Sequence, residues 1–157
     1  IQKHDFADFD VLADYADAAS SRTKELTAKI KAAESSMAEI AVLKTHIINY
    51  AKTRDIYTAY RKAGYSRKYY DAHESDILIH KAAKKAFDDL ALKKLPTVKS
   101  LQAEYSDLLV QKKLDYAELS KARDEAKRLQ IYKANAEMLL RTDADEQRQT
   151  REHQQEK

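Results

Sequence analysis

Apolar residues recur every seven positions in the first third of the chain. The first seam position is filled by Leu12, Ala19, Leu26, Ala33, Ile40 and Ile47, and the second by Phe9, Ala16, Thr23, Ile30 and Met37. Two seam positions that repeat at sevens over several heptads are typical of a left-handed coiled coil. We therefore predict one unbroken helix from about Asp8 to Ala63. Gly64, the only glycine in the chain, is placed to end that helix in a left-handed conformation.

The last third of the chain repeats this pattern. Its apolar residues at spacings of three and four are Val98, Leu101, Tyr105, Leu108, Leu119, Ala122, Ala126, Leu129, Ala136 and Leu140. Lys112 and Asp115 interrupt the seam, and polar seam residues weaken a coiled coil but fix its register. Pro96 disfavours helix at the residue before it and is acceptable where a helix begins. We predict a second long helix from about Thr97 to Thr142, followed by a frayed polar tail.

The segment between the two long helices has its own start signals. Ser66 is placed to cap a short turn, and Asp71 and Glu74 have the spacing of a capping box. An amphipathic pattern then predicts a helix from about Ala72 to Ala91. The resulting fold class is all-α, a long antiparallel coiled-coil hairpin with short helices at the tip. We predict a single elongated domain, with arms at about 8–63 and 97–142, a tip at about 64–96 and a tail at 143–157.

The hairpin geometry also predicts a register for the two arms. If Tyr60 lies near Val98, the numbers of opposed residues sum to about 158. Ile40 is then expected near Glu118 and Leu12 near Glu146. Aspartates around position 10 are expected to approach Arg141 and Arg148. Because the arms hold many alanines, we also expect a second copy or the rest of a parent protein to cover Leu12 and Leu26.

Composition narrows the candidate chemistry. There is no cysteine, so a disulfide framework, a thiolate zinc site and a cysteine nucleophile are excluded, and a reducing cytoplasm is compatible with this. The sequence holds no apolar run of about 20 residues, the length that a spanning helix needs. The chain starts IQKHDF without a methionine and ends in a polar run, which predicts a piece of a larger protein.

The histidines and carboxylates form no recognisable catalytic or metal-binding motif. His73 and His80 are seven residues apart, too far along a helix for joint ligation of a metal, and His80 is expected to be a packing residue. His4, His46 and His153 have no neighbours at ligand spacing. The acidic residues near the start are expected to complement a helix dipole and face solvent; they are Asp5, Asp8, Asp10, Asp14 and Asp17. We predict no catalytic residue, cofactor, metal or small-molecule substrate.

Positive charge is concentrated in the middle of the chain. Residues 44–99 carry 13 basic and 6 acidic side chains, a net charge of +7, whereas residues 1–43 carry 5 and 8, a net charge of −3. Two interpretations of the tyrosines in this region stay open. Tyr57, Tyr60, Tyr65, Tyr69 and Tyr70 either pack a small core or form an aromatic, basic surface for nucleic acid. The candidate nucleic-acid contacts are Arg54, Arg61, Lys62, Tyr65, Arg67, Lys68 and Tyr69.

Two stretches resemble a known family. The residues 45-THIINYAKTRDIYTAYRKAGYSRKYYDAHESDILIHKAAKKAFDDL-90 and 93-KKLPTVKSLQAEYSDLL-109 are similar to the C-terminal region of relaxases, the mobilisation nucleases of conjugative transposons in Gram-positive bacteria. KAGYS and KKLP are the most distinctive strings, and the resemblance runs from about Leu26 to Leu140. Relaxases nick DNA through a catalytic tyrosine and a histidine-held metal in an N-terminal domain. No catalytic residue carries over to this chain.

The resemblance implies an accessory module of a DNA-processing protein, and two functional classes remain. The first is a coiled-coil interaction scaffold for self-association or for docking to relaxosome or secretion-channel proteins. The second is a nucleic-acid-binding module whose basic tip holds DNA phosphates. The two classes differ in their salt response, because phosphate binding weakens steeply with ionic strength and apolar helix packing does not.

Overall fold

The computed structural model describes the backbone of residues 2–155 and the side chains of residues 8–155. Within these residues the chain forms four α-helices and no strand. They are α1 (Gln2–Lys62), α2 (Arg67–Ala72), α3 (Glu74–Asp89) and α4 (Val98–Gln155). Long helix α1 packs against long helix α4, which confirms the predicted all-α hairpin. Asp5, which we expected to complement the dipole of α1, has a side chain outside the described residues.

A Schellman motif ends α1 where the sequence predicts it. The Gly64 N–H donates to the Arg61 carbonyl at 3.1 Å, and the Tyr65 N–H donates to the Tyr60 carbonyl at 3.0 Å. Gly64 has φ +67°, the left-handed value that this motif requires at the first residue after the helix cap. The prediction for Gly64 is therefore confirmed. The motif also brings the Tyr65 ring to 5.2 Å from the Tyr60 ring, between centroids.

The same motif ends α3, but without a glycine. The Ala91 N–H donates to the Asp88 carbonyl at 3.0 Å, and the Leu92 N–H donates to the Phe87 carbonyl at 3.3 Å. Ala91 occupies the left-handed position with φ 51°. Its Cβ crowds the following carbonyl there, which makes this conformation unfavourable for an alanine. The sequence predicted a helix to about Ala91 without marking this turn, because the usual glycine is absent.

The predicted capping box between α2 and α3 is wrong. Asp71 lies inside α2, and His73 is the residue that separates α2 from α3. The His73 N–H bonds the carbonyls of Tyr69 and Tyr70, so α2 continues past the position where Asp71 would have to cap. Ser66 does precede α2 as predicted, but its side chain makes no capping hydrogen bond.

Helix α4 begins as predicted and ends later than predicted. The Ser100 N–H donates to Thr97 Oγ1 at 3.0 Å, so Thr97 caps the helix directly after Pro96. The predicted end at Thr142 is wrong, because α4 continues to Gln155. Residues 143–155 contain neither glycine nor proline, and their exposed polar side chains are compatible with a solvated helix. An ion pair at 3.1 Å between Arg148 and Asp145 supports this last segment.

The chain divides into two compact units, each built from parts of α1 and α4. The first unit holds Ile1–Lys31 and Lys113–Lys157, and the second holds Ala32–Lys112. In the first unit Leu26 and Ile30 of α1 form a buried cluster with Leu119 and Ala122 of α4. Leu26 is only 1% exposed, so no second molecule is needed to cover it. Our expectation that a partner covers Leu26 therefore loses its basis.

Polar side chains accompany the apolar core of the first unit. Arg22 donates to Glu118 at 2.8 Å, and this ion pair raises the pKa of the Arg22 guanidinium. The Asp115 carboxylate, whose side chain is 3% exposed, lies 3.4 Å from Lys29 Nζ. Asp115 is therefore buried in the seam between α1 and α4, close to the Lys29 ammonium of α1. A buried charge of this kind disfavours other pairings of the two helices.

In the second unit α3 packs back along α1. Ile77, His80, Ala83 and Phe87 are the buried residues of α3. The His80 ring stacks on Tyr50 and Tyr57 of α1, and the Phe87 ring lies edge-on to Tyr50. Helix α4 contacts an earlier stretch of α1, where Lys44 Nζ donates to Gln102 Oε1 at 3.3 Å and Lys112 pairs with Glu34 at 3.2 Å.

The predicted register is wrong because α3 takes the place that was assigned to α4. Tyr60 lies among Tyr65, Tyr69 and Tyr70 and not beside Val98. In the second unit Ile40 lines a shallow groove with Leu101 and Tyr105. In the first unit Leu12 lies near Leu139 and Leu140. Glu118 pairs with Arg22 and not with a residue near Ile40, which also contradicts the predicted register.

The strained end of α3 gives a testable prediction. Replacing Ala91 by glycine removes the Cβ clash at φ 51°, so we expect the free energy of unfolding to rise by about 1 kcal/mol. The opposite change, Gly64→Ala, is the matched control. A Cβ at Gly64 meets no atom within 4 Å, so only backbone strain is added, and we expect a loss of about 1 kcal/mol. Urea unfolding followed by circular dichroism measures both, and an unchanged or less stable Ala91→Gly protein would contradict the assignment.

Candidate nucleic-acid interface

The candidate interface lies in the second unit, where α1 ends and α2 begins. We define the basic cluster as Arg54, Arg61, Lys62, Arg67 and Lys68. All five side chains are exposed, and none forms an ion pair with a residue that the structure describes. Residues 56–70, which contain four of the five cations of the basic cluster, contain no aspartate or glutamate. The basic cluster is therefore free to meet anions from solution.

Backbone geometry determines where these cations lie. Arg54 and Arg61 are seven residues apart on α1, which places them on the same face about 10 Å apart along the helix axis. Arg67 and Lys68 form the first turn of α2, directly after the turn at Gly64. The Schellman motif thus brings cations from two helices to the same corner of the fold.

Most of the tyrosines at this corner are packing residues. Tyr60 is 8% exposed and contacts the rings of Tyr57, Tyr65, Tyr69 and Tyr70 at centroid distances of 5.2–6.2 Å. Such edge-on and offset contacts are the favoured geometry of aromatic pairs. The packing interpretation therefore holds for Tyr60 and its neighbours, while the cations of the basic cluster stay outside.

Tyr65 and Tyr69 differ in how much of the ring remains available. The Tyr69 hydroxyl donates to the Ile56 carbonyl at 3.1 Å, and its ring lies 4.4 Å from His73, so Tyr69 is committed to packing. Tyr65 is 56% exposed, although it touches the Tyr60 ring. Its φ of 60° is rare for a bulky residue and costs conformational energy. Of the two predicted stacking tyrosines, Tyr65 is the more exposed.

His80 joins α3 to α1 beneath this corner. Its ring lies between Tyr50 and Tyr57, at centroid distances of 4.6 Å and 4.4 Å. Thr53 Oγ1 donates its only proton to the Asn49 carbonyl at 2.7 Å, so it must accept the 3.0 Å hydrogen bond from His80 Nδ1. His80 is 4% exposed, which confirms the prediction that it is a packing residue. Burial lowers the pKa of His80, and the Lys84 ammonium lowers it further.

Two side-chain contacts at this site were not predicted from the sequence. Thr53 is buried and holds the His80 ring, and Lys81 Nζ lies 6.0 Å from the centre of the Tyr60 ring. The spacing of Tyr50, Thr53 and Tyr57 marks one face of α1, but only the packing of α3 shows what that face contacts. Among residues 8–155 no group of three or more histidine, aspartate or glutamate side chains could hold a metal ion.

Comparison with known proteins does not assign this chain to a family. No family model matches the sequence, and neither a curated protein nor a solved structure does. In the part of the chain that the structure describes, no helix is both long and apolar enough to cross a membrane. Any function must therefore be argued from the arrangement of the residues.

The environment of His80 predicts a pH dependence of stability. Because the folded state lowers the pKa of His80 below its ordinary value of about 6.5, protons bind the unfolded state more readily. The contribution of neutral His80 to the free energy of unfolding is fully present above about pH 6.5 and is lost as the pH falls below that value. We expect the free energy of unfolding to fall between about pH 7 and about pH 5.5.

The variant His80→Phe tests this assignment. Phenylalanine keeps a ring between Tyr50 and Tyr57 but cannot be protonated, so we expect a flatter pH profile over that range. His153→Gln, which removes an exposed histidine near the end of α4, is the control and should keep the wild-type profile. Equal slopes for wild type and His80→Phe in urea unfolding would show that His80 does not carry the effect.

Proposed function

We propose that this chain is a non-catalytic, nucleic-acid-binding helical module of a DNA-mobilisation protein of the relaxase kind. The basic cluster holds the phosphate backbone, and the catalytic chemistry belongs to another part of the parent protein. The observation that carries this proposal is the set of five exposed cations without ion-pair partners among the described residues. Cations that are already neutralised by carboxylates contribute little to phosphate binding, whereas unpaired cations displace the counterions that are condensed on the phosphates.

The contrast with other cations of the chain supports this choice. Lys29 pairs with Asp115, and Lys112 pairs with Glu34, so these two lysines help to hold α1 and α4 together. Arg22 is likewise engaged by Glu118 and Glu25. A structural role explains those residues. No comparable contact explains Arg61, Lys62, Arg67 or Lys68.

Tyr65 gives the proposed interface a preference for unpaired bases. Its exposed ring is held by the Tyr60 contact and by the turn at Gly64, so little freedom is lost when a base stacks on it. The basic cluster has no accompanying set of asparagine and glutamine side chains that would read base edges. We therefore expect binding without strong sequence preference, to single strands more tightly than to duplexes.

Removal of four cations tests the phosphate contacts. In the variant with Arg61, Lys62, Arg67 and Lys68 all changed to alanine, we expect weaker binding to a DNA duplex and to a single strand. Each lost contact should lower the slope of log affinity against log salt by about one unit. Fluorescence anisotropy at two or more salt concentrations measures both quantities, and circular dichroism checks that the variant stays helical.

A matched control separates position from total charge. Changing the exposed residues Lys24, Lys31, Lys121 and Arg123 to alanine removes the same charge from the first unit. We expect this control to bind DNA with nearly the wild-type salt slope. If both quadruple variants lose affinity equally, binding is a general charge effect and the basic cluster is not the interface.

The stacking role of Tyr65 is tested separately. Tyr65→Ala should weaken single-strand binding by about 1–3 kcal/mol and leave duplex binding nearly unchanged. Tyr65→Phe keeps the ring and should bind like wild type. The same loss for single strand and duplex in Tyr65→Ala would indicate a disturbed turn, because that variant also removes the ring that packs against Tyr60.

A second role, as an interaction scaffold, is favoured by apolar side chains that the hairpin leaves uncovered. In the first unit Val11 and Tyr15 of α1 and Ile131 and Met138 of α4 are each about half exposed or more. Large exposed apolar side chains that cluster on one element are a feature of protein contact surfaces. Relaxosome components, secretion-channel proteins or a second copy are the candidate partners of such a scaffold.

A further inference from the structure

Helices α1 and α3 pack against each other in opposite directions. Lys81 Nζ lies 6.0 Å from the centre of the Tyr60 ring, and the Phe87 ring lies 5.5 Å from the Tyr50 ring. Later residues of α3 therefore meet earlier residues of α1, and both stretches belong to the second unit. When two right-handed helices face each other in opposite directions, the positions that directly follow their buried residues lie on one side of the contact.

On α1, two cations of the basic cluster occupy this side of the contact. Arg54 directly follows the buried Thr53, and Arg61 directly follows the buried Tyr60. One position along an α-helix is a rotation of about 100°, so these side chains lie at the edge of the buried face. Both arginines are exposed, as edge positions allow. Arg54 and Arg61 therefore border the contact from the α1 side.

On α3, two lysines occupy the matching positions. Lys81 directly follows the buried His80, and Lys84 directly follows the buried Ala83. Both lysines are exposed, and neither forms an ion pair with a residue that the structure describes. The contact of Lys81 Nζ with the Tyr60 ring places this lysine directly at the corner. We call the four residues Arg54, Arg61, Lys81 and Lys84 the cation row.

The charges of the cation row do not stabilise the packing of α1 against α3. Residues that flank a seam between two helices commonly form salt bridges across it. The contact of α1 with α4 has such pairs, since Arg22 pairs with Glu118 and Lys112 pairs with Glu34. In the cation row both helices contribute cations, and like charges repel each other in the folded chain. An anion that lies between the two helices would offset this repulsion.

We propose that a single strand of nucleic acid lies along the α1–α3 contact, with its phosphates between the arginines of α1 and the lysines of α3. The axes of packed helices are about 8–10 Å apart, so long side chains from both helices reach phosphates between them. Arg54 and Arg61 also belong to the basic cluster, so the strand continues onto the corner, where Tyr65 stacks on a base. This inference rests on the proposed nucleic-acid-binding function, and it adds the path of the strand and two contacts from α3.

Removal of the two lysines of α3 tests the path of the strand. The probe is a fluorescent oligothymidylate of about 16 nucleotides, a length that covers an extended single-strand site. In the double variant Lys81→Ala, Lys84→Ala we expect the slope of log affinity against log salt to fall by about 1.4 units, since each contact to a single strand contributes about 0.7. Fluorescence anisotropy at several salt concentrations measures the slope. The charge-preserving variant Lys81→Arg, Lys84→Arg should keep the wild-type slope.

A matched double variant removes the same charge from the second unit outside the cation row. Lys52 directly precedes the buried Thr53, so it lies on the other side of the α1–α3 contact, and Lys99 lies in the first turn of α4. Both lysines are exposed, and we expect Lys52→Ala, Lys99→Ala to keep the wild-type slope. Equal losses of slope in the two double variants would show a general charge effect and overturn the proposed path.

An added cation gives a test by gain of binding. Asp88 directly follows the buried Phe87, so the next position on the same side of α3 carries a carboxylate. Asp88→Lys extends the cation row, and we expect tighter binding of oligothymidylate and a salt slope that is larger by about 0.7 units. Asp89, which is also exposed, lines a separate groove with Leu43 and Leu90. Asp89→Lys makes the same change of charge and should stay close to wild type, and an equal gain in both variants would contradict the path.

The same measurements separate this inference from the proposed function. A wild-type slope in Lys81→Ala, Lys84→Ala, together with a lowered slope in the quadruple variant of the basic cluster, would overturn the path along α3 and leave the corner as the interface. A wild-type chain that does not bind oligothymidylate would remove the nucleic-acid proposal and this inference together. A structural role of the two lysines would lower the urea midpoint of unfolding and leave the salt slope unchanged, which would also overturn the inference.

Discussion

The packing of His80 against α1 is the contact on which the second unit depends. Its ring fills the space between Tyr50 and Tyr57, and its Nδ1 donates a hydrogen bond to the buried hydroxyl of Thr53. Once α3 lies there, α4 cannot pair with the same turns of α1. It first meets α1 near Lys44, where Gln102 accepts a hydrogen bond. The register of the long helices in this unit thus follows from where a 16-residue helix folds back.

The same contact explains why the corner is basic on its outside. Tyr69 and Tyr70 of α2 each pack edge-on against the buried Tyr60 ring of α1. Residues that alternate with them along α1 and α2 must then point to solvent, and these are the cations of the basic cluster. Packing thus buries Tyr60, while the Tyr65 ring and the cations of the basic cluster stay exposed. An aromatic, basic sequence produces both a core and a charged surface.

The helices and their interruptions could be predicted from the sequence, because seam spacing, Gly64 and Pro96 are local signals. The register could not, because it depends on the contact of α3 with α1, which joins residues about 30 positions apart. The predicted end of α3, at about Ala91, lies within two residues of the observed end at Asp89. The left-handed turn there was missed, because alanine takes the place of glycine at Ala91. The end of α4 was placed too early because its last turns are polar all round and have no apolar period. At the site, the basic cluster was predicted, but the difference between Tyr65 and Tyr69 depends on a hydrogen bond to Ile56.

The cations of this chain show why contacts, and not composition, separate structure from candidate function. Lys29 and Arg61 both carry a positive charge, lie on the same helix and are exposed to solvent. Lys29 lies 3.4 Å from the Asp115 carboxylate, which is buried in the seam, so its charge is partly engaged inside the protein. Arg61 compensates no charge among the described residues, so its attraction for an outside anion is undiminished. Lys29 and Arg61 contribute equally to the net charge of the sequence. Only the packing of α1 against α4 shows that Lys29 has a carboxylate partner.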